Sequence, residues 1–134
     1  MKQPKRRSTE LSTEVLREQL KIGFHDVPLS YIPQIWVAYE PVWSIGVNGV
    51  PATAEYAEEM HGAIKACLAE IFGEEGKCIP VLYGGSVNPG NADELILQPS
   101  IDGLFVGRAA WNAEDFNDLI RSAKRTYENE ERKK

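Results

Sequence analysis

Glu40 is the residue of this chain best placed to move a proton. It closes an apolar run, Ile35, Trp36, Val37 and Ala38, just after Tyr39, and Pro41 follows at once. In an α/β protein the carboxyl end of a strand is where reactive groups gather. A carboxylate there can abstract a carbon-bound proton if it is partly desolvated, because loss of water raises its basicity. Tyr39, Pro41, Trp43 and Ile45 are the candidates for such a dry wall. A second set of residues is small: Gly46, Gly84, Gly85, Ser86 and Gly107, in loops that follow apolar runs. Glycines let backbone N–H groups approach an anion closely, and a helix N-terminus adds a favourable dipole. If these loops converge they make a phosphate cradle without lysine. Taken singly, each glycine reads as a turn residue and Glu40 as a strand-end salt-bridge partner; the joint pattern favours a ligand.

The elements that must position these residues follow from periodicity and punctuation. Ser12 is an N-cap candidate for a first helix with Val15, Leu16, Gln19, Leu20 and Gly23 on one side, and Pro28 forbids its continuation. A connector with Pro28 and Pro33 leads to a strand over 35–39, apolar almost throughout, as a strand buried on both faces would be. A Gly-rich loop over 44–52 follows. Thr53 then caps a long helix whose apolar positions, Ala57, Met60, Ile64, Cys67, Leu68 and Ile71, keep helical spacing. The second strand is expected over 78–83, a short helix over 91–97 between Pro89 and Pro99, and the third strand over 103–106. Asn112, with Asp115 three residues on, starts a last helix with an apolar stripe of Phe116, Leu119, Ile120 and Ala123. A helix followed by three strand–helix units implies a parallel α/β sheet in which both outer strands are edges. Residues 12–126 form the folded body in this reading, with 1–11 a disordered or non-native segment and 127–134 a charged tail.

Composition narrows the function classes. A chain of 134 residues suits one domain, and a net charge of −5 gives no case for nucleic acid or an anionic membrane. The basic patch Lys2, Lys5, Arg6 and Arg7 reads as a frayed end. Cys67 and Cys78 lack metal-ligand spacing, so neither metal nor cofactor is expected. His25 and His61 read as surface or helix-packing residues. No secretory segment or membrane span stands out, and a cytoplasmic protein is the expectation.

Three segments carry a family resemblance: AYEPVWSIG over 38–46, LYGGSVNP over 82–89 and IDGLFVGRAAW over 101–111. From about Thr13 to Ala123 the chain resembles the C-terminal half of triosephosphate isomerase. The resemblance implies a partial (β/α)8 barrel, a helix followed by three βα units that match the last three strands. It implies Glu40 as the proton-shuttling base and a mobile lid over 41–52, including Pro41, Val42 and Trp43 and ending at Ala52. Gly46 would donate its N–H to a substrate phosphate, Ser86 would bind that phosphate, and Gly107 and Arg108 would offer backbone amides. Tyr83 would latch the closed lid near Ala52. The implied reaction is an aldose–ketose isomerisation of a small phosphorylated sugar through an enediol, of the kind used in glycolysis and gluconeogenesis, with glyceraldehyde 3-phosphate and dihydroxyacetone phosphate as the pair.

The departures are equally specific. A whole barrel needs eight strands and typically ~250 residues. The family's Asn and Lys after its first strand and its electrophilic His after the fourth have no counterpart here. The isolated chain is therefore expected to be inactive, and to need self-association or a complementary N-terminal half; the parent enzyme is expected to be a homodimer. The lid segment Val47, Asn48, Gly49, Val50 and Pro51 is one residue longer than the usual version, Arg108 replaces a common Gly, and Trp111 a common Leu. These features resemble the tetrulose-phosphate (erythrulose phosphate) branch, the alternative substrate class. A non-catalytic partial barrel acting as a binding or assembly module is the remaining alternative.

Overall fold

The computed structural model describes residues 5–41 and 52–134. Val42, Trp43, Ile45, Gly46 and the rest of the expected lid up to Pro51 lie outside the described residues, as does Lys2.

The chain runs α1 (Lys5–Gly23), β1 (Val37–Tyr39), α2 (Ala54–Phe72), β2 (Val81–Tyr83), α3 (Ala92–Ile96), β3 (Gly103–Leu104) and α4 (Ala113–Arg132), with short 3-10 turns at Leu29–Gln34, Glu74–Cys78 and Arg108–Ala110. The strands form one parallel sheet in the order β1-β2-β3. Each strand is shorter than its apolar run, because ladder bonds form only where a neighbour lies alongside. The start of α1 at Lys5 places most of the segment expected to be disordered in a helix and leaves Ser12 inside it. At the other end, α4 carries the charged tail as helix to Arg132.

α2 is the axis of the core. Thr53 caps it as expected, its hydroxyl accepting from the Tyr56 N–H at 3.1 Å, and Gly73, at φ 79°, ends it in a conformation that favours glycine. Ala57, Met60, Ile64 and Leu68 are buried against Ile79, Val81 and Tyr83. α1 lies on α2 through the edge-to-face pair Phe24–Phe72, centroids 5.4 Å apart, and through Arg17, which bonds both oxygens of Glu70 at 2.9 and 2.8 Å. Asp102 accepts from Lys65 at 2.6 Å and from the Val81 N–H at 2.9 Å, tying the approach to β3 onto α2 and β2. The Asn112 side chain caps α4 by accepting from the Asp115 N–H at 3.1 Å.

Burial alternates along the strands rather than covering both faces. Val81, Tyr39 and Tyr83 point into the helical layer and are buried, whereas Trp36 is 71% exposed and Ala38 is exposed. The expectation of a strand buried on both faces is thus corrected: helices cover one face, and among the described residues nothing covers the other. The helical stripes are also narrower than expected. Val15 and Gln19 on α1 and Ile120 on α4 face solvent, because each of these helices packs along one side only; among the residues whose burial is described, they bury Leu20 and Leu119.

Candidate active site

The parallel register sets the site. Tyr39 pairs with Tyr83, and Tyr83 with Leu104, so the three strands end at one level. The Gly84 N–H donates to the Tyr39 carbonyl at 2.8 Å, and the Phe105 N–H to the Tyr83 carbonyl at 2.8 Å. Glu40, the Gly84-Gly85-Ser86 loop and Gly107 therefore leave the sheet at its carboxyl end, as the alternation of strands and helices required.

Glu40 sits directly on Gly84. A Cβ placed at Gly84 would lie 2.7 Å from Glu40 Cγ and 3.3 Å from its Cδ and Oε1. Real side chains do not approach that closely, so the absence of a side chain at position 84 leaves Glu40 its resting place. Glu40 itself is exposed. Of the expected dry wall, Tyr39 points to the opposite face and Pro41 is buried, while Trp43 and Ile45 lie outside the described residues.

The Ser86 loop is pinned by a residue that the sequence reading used only as a helix boundary. Asn91 donates from Nδ2 to the Ser86 carbonyl at 2.6 Å and accepts the Asn88 N–H on Oδ1 at 2.8 Å. Asn88 in turn accepts the Gly90 N–H at 2.8 Å. This is the local side-chain-to-backbone bonding that Asn favours in turns, and the closely spaced asparagines around Pro89 and Gly90 were its visible signal. Gly107 precedes the turn Arg108–Ala110, is exposed, and has open space where a side chain would stand. Arg108 lines a cleft of about 480 Å³ between α3 and α4 with Asp93, Trp111 and Asp115.

Tyr83, the expected latch, is buried, and Ala52 belongs to the same core. Tyr83 packs on Tyr39 at 6.2 Å and on His61 at 6.0 Å; Tyr39 and His61 meet edge to face at 5.7 Å. His61 is fully buried, and burial lowers its pKa to about 4, against the opposing pull of the Ser100 carbonyl and of Glu58 and Asp102. Burial, and then neighbouring Tyr56 and Tyr83, raise the Tyr39 phenol.

These features define an α/β protein with a carboxylate and small, anion-suited loops gathered at the carboxyl end of a parallel sheet. The sequence model of triosephosphate isomerase matches residues 2–123. The chain is similar to the L-erythrulose-1-phosphate isomerase of Rhizobium etli, 53% identical over 108 residues, which are 79% of this chain and 39% of that protein. The enzyme of the same name from Rhizobium meliloti is 53% identical over 91 residues, 68% of this chain and 34% of the relative. Among solved structures, triosephosphate isomerase from Bartonella henselae superposes with a TM-score of 0.70 at 33% identity, covering 87% of this chain and 47% of that one. The chain belongs to the triosephosphate isomerase family. It spans less than half the length of these relatives.

Proposed function

We propose that this chain supplies the base and phosphate-binding loops of a phosphosugar isomerase that shifts a carbonyl to the adjacent carbon through an enediol, with a tetrulose phosphate as its preferred substrate. Glu40 removes the proton from the hydroxyl-bearing carbon next to the carbonyl. The resulting enediolate is reprotonated by the same carboxyl group on the former carbonyl carbon, while the hydroxyl proton passes between the two oxygens. The backbone N–H groups of Gly46, Gly107 and Arg108 and the Ser86 hydroxyl hold the phosphate at the far end. The lid, closing over the site and held by Tyr83, excludes water from the intermediate.

The observation that carries this reading is the common level of the strand ends, which sets Glu40 on Gly84 beside the Ser86 loop. The tetrulose phosphate is favoured over triose phosphates, the second reading, by the 53% identity to L-erythrulose-1-phosphate isomerases against 33% to the solved triosephosphate isomerase. The exposure of Glu40 on an open sheet face supports the reading that the 134 residues alone do not turn over substrate. A facing wall and an electrophile that polarises the carbonyl must come from outside them, from a complementary half or a second copy. A cytoplasmic homodimer is the parent assembly in this proposal.

The test is a chimera in which this chain replaces the matching part of the Rhizobium etli enzyme. Turnover of L-erythrulose 1-phosphate above that of glyceraldehyde 3-phosphate is the expected result, and Glu40→Gln should remove it while 2-phosphoglycolate, an enediolate mimic, still binds. Undiminished turnover in the Glu40→Gln chimera would refute the base assignment, and a preference for triose phosphate the substrate.

A further inference from the structure

His61 occupies a position on α2 that an apolar residue would fill. It stands on the same buried face as Ala57, Met60, Ile64 and Leu68, at helical spacing, and is as inaccessible as they are. Its difference from a leucine or phenylalanine lies in its two nitrogens. Nδ1 is 3.3 Å from the Ser100 carbonyl. A carbonyl can only accept, so Nδ1 carries the proton and Nε2 of the neutral ring is left with a lone pair. That Nε2 is buried and meets no hydrogen-bond partner among the described residues. A buried acceptor left unmet costs about 1–3 kcal/mol, so the imidazole is a poor choice for filling space alone.

The geometry around the ring explains the choice. The Ser100 N–H is held by Glu58 at 2.9 Å, so both polar backbone groups of Ser100 are held from α2, by residues one turn apart. The ring is thereby fixed in orientation against the segment that leads into β3. It also packs on Tyr39 and Tyr83, the last residues of two adjacent strands. Each precedes a member of the site: Tyr39 precedes Glu40, and Tyr83 precedes the Gly84 on which Glu40 rests.

We infer that His61 is a positioning residue for the base: its ring, anchored to the Ser100 carbonyl, holds Tyr39 and Tyr83 together and so keeps Glu40 on Gly84. The inference rests on the reading of Glu40 as the base, but its test does not use turnover. The full 134-residue chain, isotope-labelled, gives two signals. One is the nuclear Overhauser cross-peak between the Glu40 γ protons and the Gly84 α protons. The other is the ¹⁵N side-chain pattern of His61, which reports the tautomer. His61→Phe keeps the ring and removes the anchor; it should lower the cross-peak at least twofold. Leu95→Ala, a core truncation in α3, away from the Ser100 anchor, should leave the cross-peak intact. An unchanged cross-peak in His61→Phe, or an equal loss in Leu95→Ala, overturns the inference. If His61→Phe fails to fold, the unsubstituted chain decides: a proton on Nδ1 with a bare Nε2 supports the anchor, and a proton on Nε2 alone overturns it. Failure of the base assignment shows separately, as turnover surviving Glu40→Gln in the chimera.

Discussion

Acidification should weaken this fold through one histidine. His61 is neutral in the folded chain, where burial lowers its pKa to about 4, and it regains its ordinary value of 6.5 when the chain unfolds. Between those values the unfolded state binds the proton and the folded state does not. Stability from this group is thus fully present above pH 6.5, is lost as the pH falls toward about 4, and changes no further below that. The gap of about 2.5 pH units, at about 1.4 kcal/mol each, amounts to roughly 3 kcal/mol. The ring is fully buried, so solvent screening takes little from that figure. With a urea m-value of about 1.5 kcal/mol/M, the midpoint should fall by about 2 M from this group alone. The assay is urea unfolding followed by circular dichroism at several pH values from 7 to 4, on the chain and on His61→Gln. Carboxylates protonate in both proteins, so the difference between the two pH slopes isolates His61. Parallel slopes for the two proteins would refute a neutral, buried His61.

Three further substitutions test the site. Gly84→Ala puts a methyl group 2.7 Å from Glu40 Cγ, so the Glu40 side chain must move; if Glu40 is the base, the chimera should lose roughly 10–100-fold in kcat, since an ångström of misplacement can cost that much. An unchanged kcat would show that Glu40 does not work from this seat. Asn91→Ala removes the bonds to the Ser86 carbonyl and the Asn88 N–H, and should cost about 1–2 kcal/mol in thermal or urea unfolding and weaken phosphate-analogue binding by calorimetry. Thr53→Ala removes the N-cap of α2 and should destabilise the chain by about 1 kcal/mol; because α2 carries His61, a lower Tm should accompany it.

What was legible in the sequence was whatever local chemistry decides. The α2 cap at Thr53 and the α4 cap at Asn112 came from one side chain and the N–H three residues on, and both formed. Three apolar runs separated by helices fixed a parallel sheet, and the ends of those runs fixed where Glu40, Ser86 and Gly107 emerge. What stayed hidden depended on contacts between elements distant in sequence. Nothing near Gly84 announces that Glu40 lies on it, 44 residues earlier in the chain. His61 reads like any other residue of a helical stripe until Ser100 and the two tyrosines are in place. That Arg108 lines a cleft with Asp93 depends on how α3 and α4 pack.

The open sheet face accounts for several departures at once. Trp36, Ala38 and Glu40 alternate with Val37 and Tyr39 along the first strand, so all three project away from the helices. All are exposed, as is Phe105 just beyond β3. A tryptophan 71% exposed beside an exposed alanine is not how a solvated sheet face is built; such faces carry polar residues in alternation. The pattern is that of an interior wall, with the carboxylate at its rim. The same geometry that would make Glu40 the base of a closed site leaves it exposed here. Chemistry at Glu40 and cover for Trp36 are thus one requirement: whatever packs on this face would bury the tryptophan and dry the base together. The spectroscopic consequence is that a blue shift of Trp36 fluorescence should accompany turnover whenever the chain is complemented, and turnover without it would separate the two.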